Sequence, residues 1–282
     1  MIANNYLSHR HQIESFVDDT VGLILQQLTQ KESGQYRPHI YEKQIRDSLH
    51  DLLIPFASRT SVNIETISSQ FAAKIPEIVE DCWIDAQRYP ICDPALECLE
   101  EVFYASNGYW ATVAYRIANA LLKLKAPIIP RTVSGIAHSR TGVDIHPGTT
   151  IAPGLFIDHG TGIAIGCTAV IEANVSLYNG VVLGTSGKPR KKVAEDSGEI
   201  CKRHPTISQG VSLYTSCFVG GDVVIGENSI IGAFAFVCDD IPEDSVVQGN
   251  PGISSIRTCK KRQQAIPTTS NFSESRDQSF VR

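Results

Sequence analysis

Through the C-terminal half of the chain an aliphatic residue returns every six positions, and this period constrains the fold more than any other feature. One series runs Ile145, Ile151, Ile157, Ile163; a second runs Ile165, Ile171, Leu177, Leu183. A third runs Ile207, Leu213, Val219, Ile225, Ile231, Val237. In a triangular parallel β-helix one hexapeptide makes one side of a coil, so the aliphatic residue points inward on every side and builds a continuous apolar ladder. Small residues such as Gly148, Gly154, Gly166, Gly180, Gly210, Gly226 and Gly232 suit the tight corners. The repeat therefore predicts a β-helix from residue 145 to about 256.

The breaks in the repeat carry as much information as its regular part. Between Ile157 and Ile165 the phase slips by two residues, across Asp158, His159, Gly160, Thr161 and Gly162. A local departure at a polar segment points to a functional site. Between Leu183 and Ile207 the aliphatic step is lost for four hexapeptide lengths, and Gly187, Lys188, Pro189, Arg190, Lys191 and Lys192 read as a protruding loop.

Upstream, the spacing of Ile13, Phe16, Val17, Val21, Ile24, Leu25 and Leu28 predicts an amphipathic helix over about 11–30. Similar stripes predict helices around Ile45–Leu53, Phe71–Ile84 and Gly108–Lys125, with Pro127 and Pro130 as stops. The expected organisation is a helical N-terminal domain at 1–130 and a β-helix domain at 131–258 with a loop insertion at about 186–204. Residues 259–282, rich in Ser, Thr, Gln and charge without periodicity, read as a disordered tail.

Composition excludes several classes. A net charge of −5 over 282 residues offers no basic field for nucleic acid. Eight cysteines without a C-x-x-C pair, and no basic-then-apolar leader, fit a reducing cytosol without structural zinc. No apolar run reaches membrane-spanning length, so a soluble protein is expected.

Three polar clusters stand out: Asp144-Ile145-His146, Asp158-His159-Gly160 and Lys202-Arg203-His204-Pro205. A histidine oriented by a carboxylate can take a proton from a hydroxyl as its oxygen attacks an acyl group, and either aspartate could serve as the orienter. Adjacent Arg and His can hold a carboxylate, as an amino-acid substrate would require. The plainer readings are an exposed loop histidine, a solvated Arg203 and a mobile basic run at 188–192. Cys167 and Cys217 read as small packing residues.

Asp93-Pro94-Ala95, Ala114-Tyr115-Arg116-Ile117, Val143-Asp144-Ile145-His146-Pro147, Ile157-Asp158-His159-Gly160-Thr161-Gly162 and Arg203-His204-Pro205 together resemble the serine acetyltransferase family across Asp93 to Ile256. The resemblance implies an α+β fold: a helical N-terminal domain, its last stretch at Ala114–Ile117, followed by a left-handed parallel β-helix of hexapeptide repeats. It further implies trimers or dimers of trimers with active sites between neighbouring chains. It implies a cytoplasmic enzyme of cysteine biosynthesis that uses acetyl-CoA as co-substrate and no metal. By that resemblance His159 is the general base and Asp144 its orienting partner, Asp93 and Asp158 hold the ammonium of L-serine, and Arg203 and His204 hold its carboxylate. The acyl donor would lie along Gly184, Thr185 and Thr215, with a backbone N–H after Leu183 on the oxyanion.

The chain departs from the family pattern at several points. Gly184-Thr185-Ser186-Gly187-Lys188 replaces a turn with two adjacent glycines, Cys167 stands where Glu is common, and Tyr214-Thr215-Ser216-Cys217 replaces a run of small residues. The loop from Pro189 to Lys202 is long. The C-terminal isoleucine that docks the partner sulfhydrylase is replaced by Phe280-Val281-Arg282, which speaks against that complex. The alternatives are an acyltransferase with another hydroxy amino acid or acyl-CoA, a non-catalytic repeat scaffold, or metal chemistry through His138, His146, His159 and His204.

Overall fold

The computed structural model describes residues 2–186 and 201–249, the side chains from residue 8 onward. Most of the expected loop, the tail and the chain end lie outside the described residues, as does the β-helix expected beyond 249.

Helices fill the first half: α1 (Ile2–Glu32), α2 (Glu42–Leu53), α3 (Ile64–Ala86), α4 (Tyr89–Cys92), α5 (Leu99–Ala105), α6 (Asn107–Lys123) and α7 (Ile129–Thr141). Ile13, Phe16, Val17, Val21, Ile24 and Leu28 are buried against the same core, as their spacing requires, with Leu25 packed at its margin. Pro130 does not end the helical region. It stands in the first turn of α7, where its missing N–H has no intrahelical partner to lose, and Gly142 closes that helix in the left-handed conformation at φ 74°. The helices thus run past residue 130, and Ala114–Ile117 is followed by one more.

The second half winds into coils of three short strands that stack as three parallel sheets. The first sheet holds β1 (Asp144–Ile145), β4 (Ala164–Ile165), β7 (Val182–Gly184), β10 (Phe218–Gly220) and β13 (Phe236–Val237). The second holds β2 (Thr150–Ile151), β5 (Val170–Ile171), β8 (Thr206–Ile207) and β11 (Val224–Ile225). The third holds β3 (Phe156–Ile157), β6 (Ser176–Leu177), β9 (Ser212–Leu213), β12 (Ile230–Ile231) and β14 (Val246–Val247). The six-step residues stand in register: Ile145, Ile165, Leu183, Val219 and Val237 form one buried ladder. Ile165 to Leu183 is one coil of eighteen residues, whereas Ile145 to Ile165 takes twenty and Leu183 to Val219 takes thirty-six. The two-residue slip and the long interruption are therefore both absorbed outside the ladder.

The first coil would leave its hydrogen-bonding edge open, a hazard at the end of any repeat stack. Helices α6 and α7 cover it. Ser134 Oγ donates to the Ile145 carbonyl at 2.5 Å, Asn119 Nδ2 to Pro147 O at 2.8 Å, and the Tyr115 hydroxyl to Thr149 O at 2.7 Å while accepting from Ile151 N. Deeper still, Asp85 on α3 is fully buried and accepts from Arg116 Nε at 2.6 Å and Nη2 at 2.8 Å, and from the backbone N–H of Gly154 and Leu155. One carboxylate thus ties α3, α6 and the turn before β3 together. Removing one partner of such a pair strands a buried charge. Arg116→Met is expected to lower unfolding free energy by about 3–5 kcal/mol in chemical denaturation. A loss under about 1 kcal/mol would show the pair to be dispensable.

Candidate functional site

Of the residues singled out by sequence, Asp93, Asp158 and His159 line one cavity and Asp144, Gly184 and His204 line another. The first, about 640 Å³, lies where α4 and α5 meet the end of β3, and Asp93, Asp158 and His159 line it with Glu101 and Asn107. Tyr89 on α4 fixes this meeting. Its hydroxyl donates to the Ile157 carbonyl at 3.3 Å and its ring packs edge-on against Phe156 at 4.8 Å. Asp93 caps α4, with one carboxylate oxygen accepting from Ala95 N.

His159 sits at the apex of the two-residue slip with φ 57°, its side chain 75% exposed and its Nε2 3.5 Å from an Asp158 carboxylate oxygen. Gly160 follows at φ 83°, and a Cβ there would press within 2.7 Å of Val143. The bulge therefore needs glycine behind the histidine, and it aims the imidazole outward.

The second cavity, about 250 Å³, lies over the first sheet and is lined by Asp144, His146, Arg131, His204 and Gly184. His146 Nδ1 accepts from Gly148 N at 2.9 Å, and burial and then Arg131 hold its pKa below the ordinary imidazole value against the opposing pull of Asp144. His204 is 6% exposed. Its pKa is likewise depressed, by burial first and then by Arg203, Lys202 and His146. Arg203 Nη2 donates to Cys167 Sγ at 3.7 Å, and its Nε is buried without a partner among the described residues. The guanidinium keeps donor capacity for an anion.

Within one chain, then, Asp93, Asp158 and His159 come together, and Asp144 comes together with His204. The two groups line different cavities, and the carboxylate beside His159 is Asp158 rather than Asp144. Thr185 and Thr215 line neither cavity; Thr215 Oγ1 donates to Asn179 Oδ1 at 3.1 Å. Cys217 is buried and its thiol is pushed up to about 12 by that burial, which suits packing rather than nucleophilic work. Among the described residues no group of three His, Cys, Asp or Glu side chains is placed to hold a metal ion. No helix among them is long and apolar enough to cross a membrane.

Sequence reasoning missed Tyr89, Arg131 and Thr168, which positions His204 through three hydrogen bonds. A signal existed for Thr168: it stands three residues before Ile171, as His204 stands three before Ile207, and those two isoleucines are register partners.

No protein-family model matches the chain. Serine acetyltransferase of Bacillus subtilis strain 168 is 40% identical over 169 residues, which cover 60% of this chain and 73% of that protein. Serine acetyltransferase of Synechococcus elongatus is 41% identical over 160 residues, 57% of this chain and 62% of that protein, so the match spans under two thirds of that relative's length. Among solved structures, Entamoeba histolytica serine acetyltransferase 1 in complex with L-cysteine is similar at TM-score 0.65 and 25% identity, covering 85% of this chain and 99% of that one. Serine acetyltransferase of Brucella abortus strain S19 in complex with coenzyme A is similar at TM-score 0.58 and 30% identity, covering 67% and 71%. The chain belongs to the serine acetyltransferase family.

If the exposed His159 is functional rather than structural, replacing it leaves stability unchanged. His159→Asn, which keeps a residue tolerant of positive φ, is expected to shift unfolding free energy by no more than about 0.5 kcal/mol. A loss of about 2 kcal/mol would assign the side chain to the fold instead.

Proposed function

We propose that the chain transfers the acetyl group of acetyl-CoA to the hydroxyl of L-serine, at sites formed where the His159 cavity of one copy meets the Asp144 cavity of the next. The observation that carries this reading is the split itself. One cavity holds His159 with Asp93, Glu101 and Asp158 and no cation among the described residues, the other holds Arg131 and His204 beside Asp144, and Arg203, next to His204 in the chain, keeps donor capacity for a carboxylate.

Asp93 and Asp158 then bind the serine ammonium, while Arg203 and His204 of the neighbouring copy bind its carboxylate. His159 takes the hydroxyl proton, and Asp144 of the neighbour orients the imidazole. The serine oxygen attacks the thioester carbon, a C–O bond forms, and a backbone N–H after Leu183 stabilises the oxyanion. Collapse breaks the C–S bond, and His159 returns its proton to the departing thiolate. Gly184, Thr185 and Thr215 belong to the side along which the acyl donor runs. A left-handed coil, an assembly as a trimer or dimer of trimers, a working division near residue 130, and a cytoplasmic location for cysteine biosynthesis complete the reading. Relatives solved with coenzyme A and with L-cysteine support it.

Tyr178, edge-on to the Phe156 that lines the first cavity, stacks on Tyr214 at 4.8 Å and 12°, with Tyr214 39% exposed. A panel of serine, threonine and homoserine against acetyl-CoA and longer acyl-CoAs, read by CoA release, is expected to give highest kcat/KM for serine with acetyl-CoA. His159→Asn is expected to lower kcat by about 10²–10⁴-fold. Full activity in that variant, or preference for another acceptor, would refute the corresponding part.

A further inference from the structure

His204 is held by an unusually complete set of hydrogen bonds, and those bonds fix where its proton lies. A threonine hydroxyl has one proton to donate and two lone pairs to offer. At Thr168 both lone pairs are taken: its Oγ1 accepts from the backbone N–H of Arg203 at 3.0 Å and of His204 at 3.1 Å. Among the described residues the hydroxyl proton has one acceptor in reach, His204 Nδ1 at 2.8 Å. The backbone N–H of Thr168 points at the same nitrogen from 3.2 Å. Nδ1 therefore faces two donors, and a proton placed there would confront both and leave the hydroxyl proton without an acceptor.

The remaining edge of the ring is equally constrained. A Cβ on Gly166 would lie 2.0 Å from His204 Cδ2 and Nε2, so the imidazole edge rests on that glycine. Lys202 Nζ staples the two segments by donating to Thr168 O at 2.9 Å and His204 O at 2.7 Å. The charged groups that face the ring are Arg203, Lys202 and His146, with Arg131 and Asp144 in the shared cavity. Asp144 is the one acid among them, and the cations disfavour a charged imidazole.

We infer that Thr168 is a positioning residue that locks His204 as a neutral imidazole carrying its proton on Nε2, so that His204 serves the acceptor only as a hydrogen-bond donor. The functional half of this inference rests on the activity proposed above; the lock itself does not. Burial and the neighbouring cations, which hold the imidazole pKa below its ordinary value, act in the same direction. A locked donor keeps acceptor binding insensitive to pH through the range where a free imidazole, at about 6.5, would switch.

The test is ¹⁵N NMR of histidine-labelled full-length protein between pH 5.5 and 8, with His204 assigned by His204→Gln. The expected spectrum has His204 protonated at Nε2 and bare at Nδ1 throughout, without titration. Thr168→Val keeps the shape and removes the hydroxyl; it is expected to return His204 to titration within this range. It is also expected to raise the serine KM about tenfold at pH 6, with a smaller change in kcat. Thr168→Ser is expected to restore both tautomer and KM. Titration of His204 in the unaltered protein, or the Nδ1-protonated tautomer, would overturn the inference even if Thr168→Val failed to fold. Unchanged behaviour in Thr168→Val would also overturn it. A locked tautomer in a chain that acetylates no hydroxy amino acid would refute the proposed activity and uphold the lock.

Discussion

Everything in the second half of the molecule depends on keeping one aliphatic residue inward on each side of each coil. A strand alternates its faces, so a slip of one residue would turn a whole rung inside out and expose its ladder residue to water. Insertions are tolerated only where the chain leaves the triangle and rejoins it in phase. The two extra residues between Ile145 and Ile165 do this at a corner, and the bulge carries Asp158 and His159. Between Leu183 and Val219 the excess is one full coil length, and the chain re-enters β8 with Ile207 beneath Ile171. That return places Arg203 and His204 against Cys167 and Thr168. The ladder thus determines where chemistry can be placed without loss of the core.

The helical half contributes more than a cap. Asp85 buries its charge at the junction and satisfies it with a guanidinium and two backbone N–H groups, an arrangement that tolerates little displacement. Close by, Tyr89 binds the carbonyl that immediately precedes Asp158. Asp93 and Asp158, far apart in sequence and borne on different elements, therefore face one cavity because two buried contacts hold the helices against the first coil.

The coils were legible in the sequence because their determinant is local and strictly spaced. Each ladder residue from Ile145 to Val237 announces itself without knowledge of its neighbours, and the slip at Asp158–Gly162 is visible by the same count. The amphipathic stripes of α1, α2, α3 and α6 were legible for a similar reason. Helix α7 was not, because Pro127 and Pro130 read as stops, although proline fits the first turn of a helix as well as it ends one. The candidate site was legible as a set of residue types and not as an arrangement. Asp144 and His159 stand fifteen residues apart in sequence yet face different cavities, since each leaves the triangle on a different side. The work of Thr168 on His204 depends on the pairing of adjacent coils across the long interruption, which no motif states.

The central claim is that each chain carries two incomplete halves which complete one another between copies. It is tested most directly by mixing two inactive variants, one altered at His159 and one at Arg203, and measuring acetyl transfer after dissociation and co-assembly. In a trimer of random composition, some interfaces pair an intact His159 of one copy with an intact Arg203 of the next. The account predicts inactive parents and a mixture that recovers a substantial fraction of the unaltered activity. A mixture as inactive as its parents, despite demonstrated subunit exchange, would contradict it.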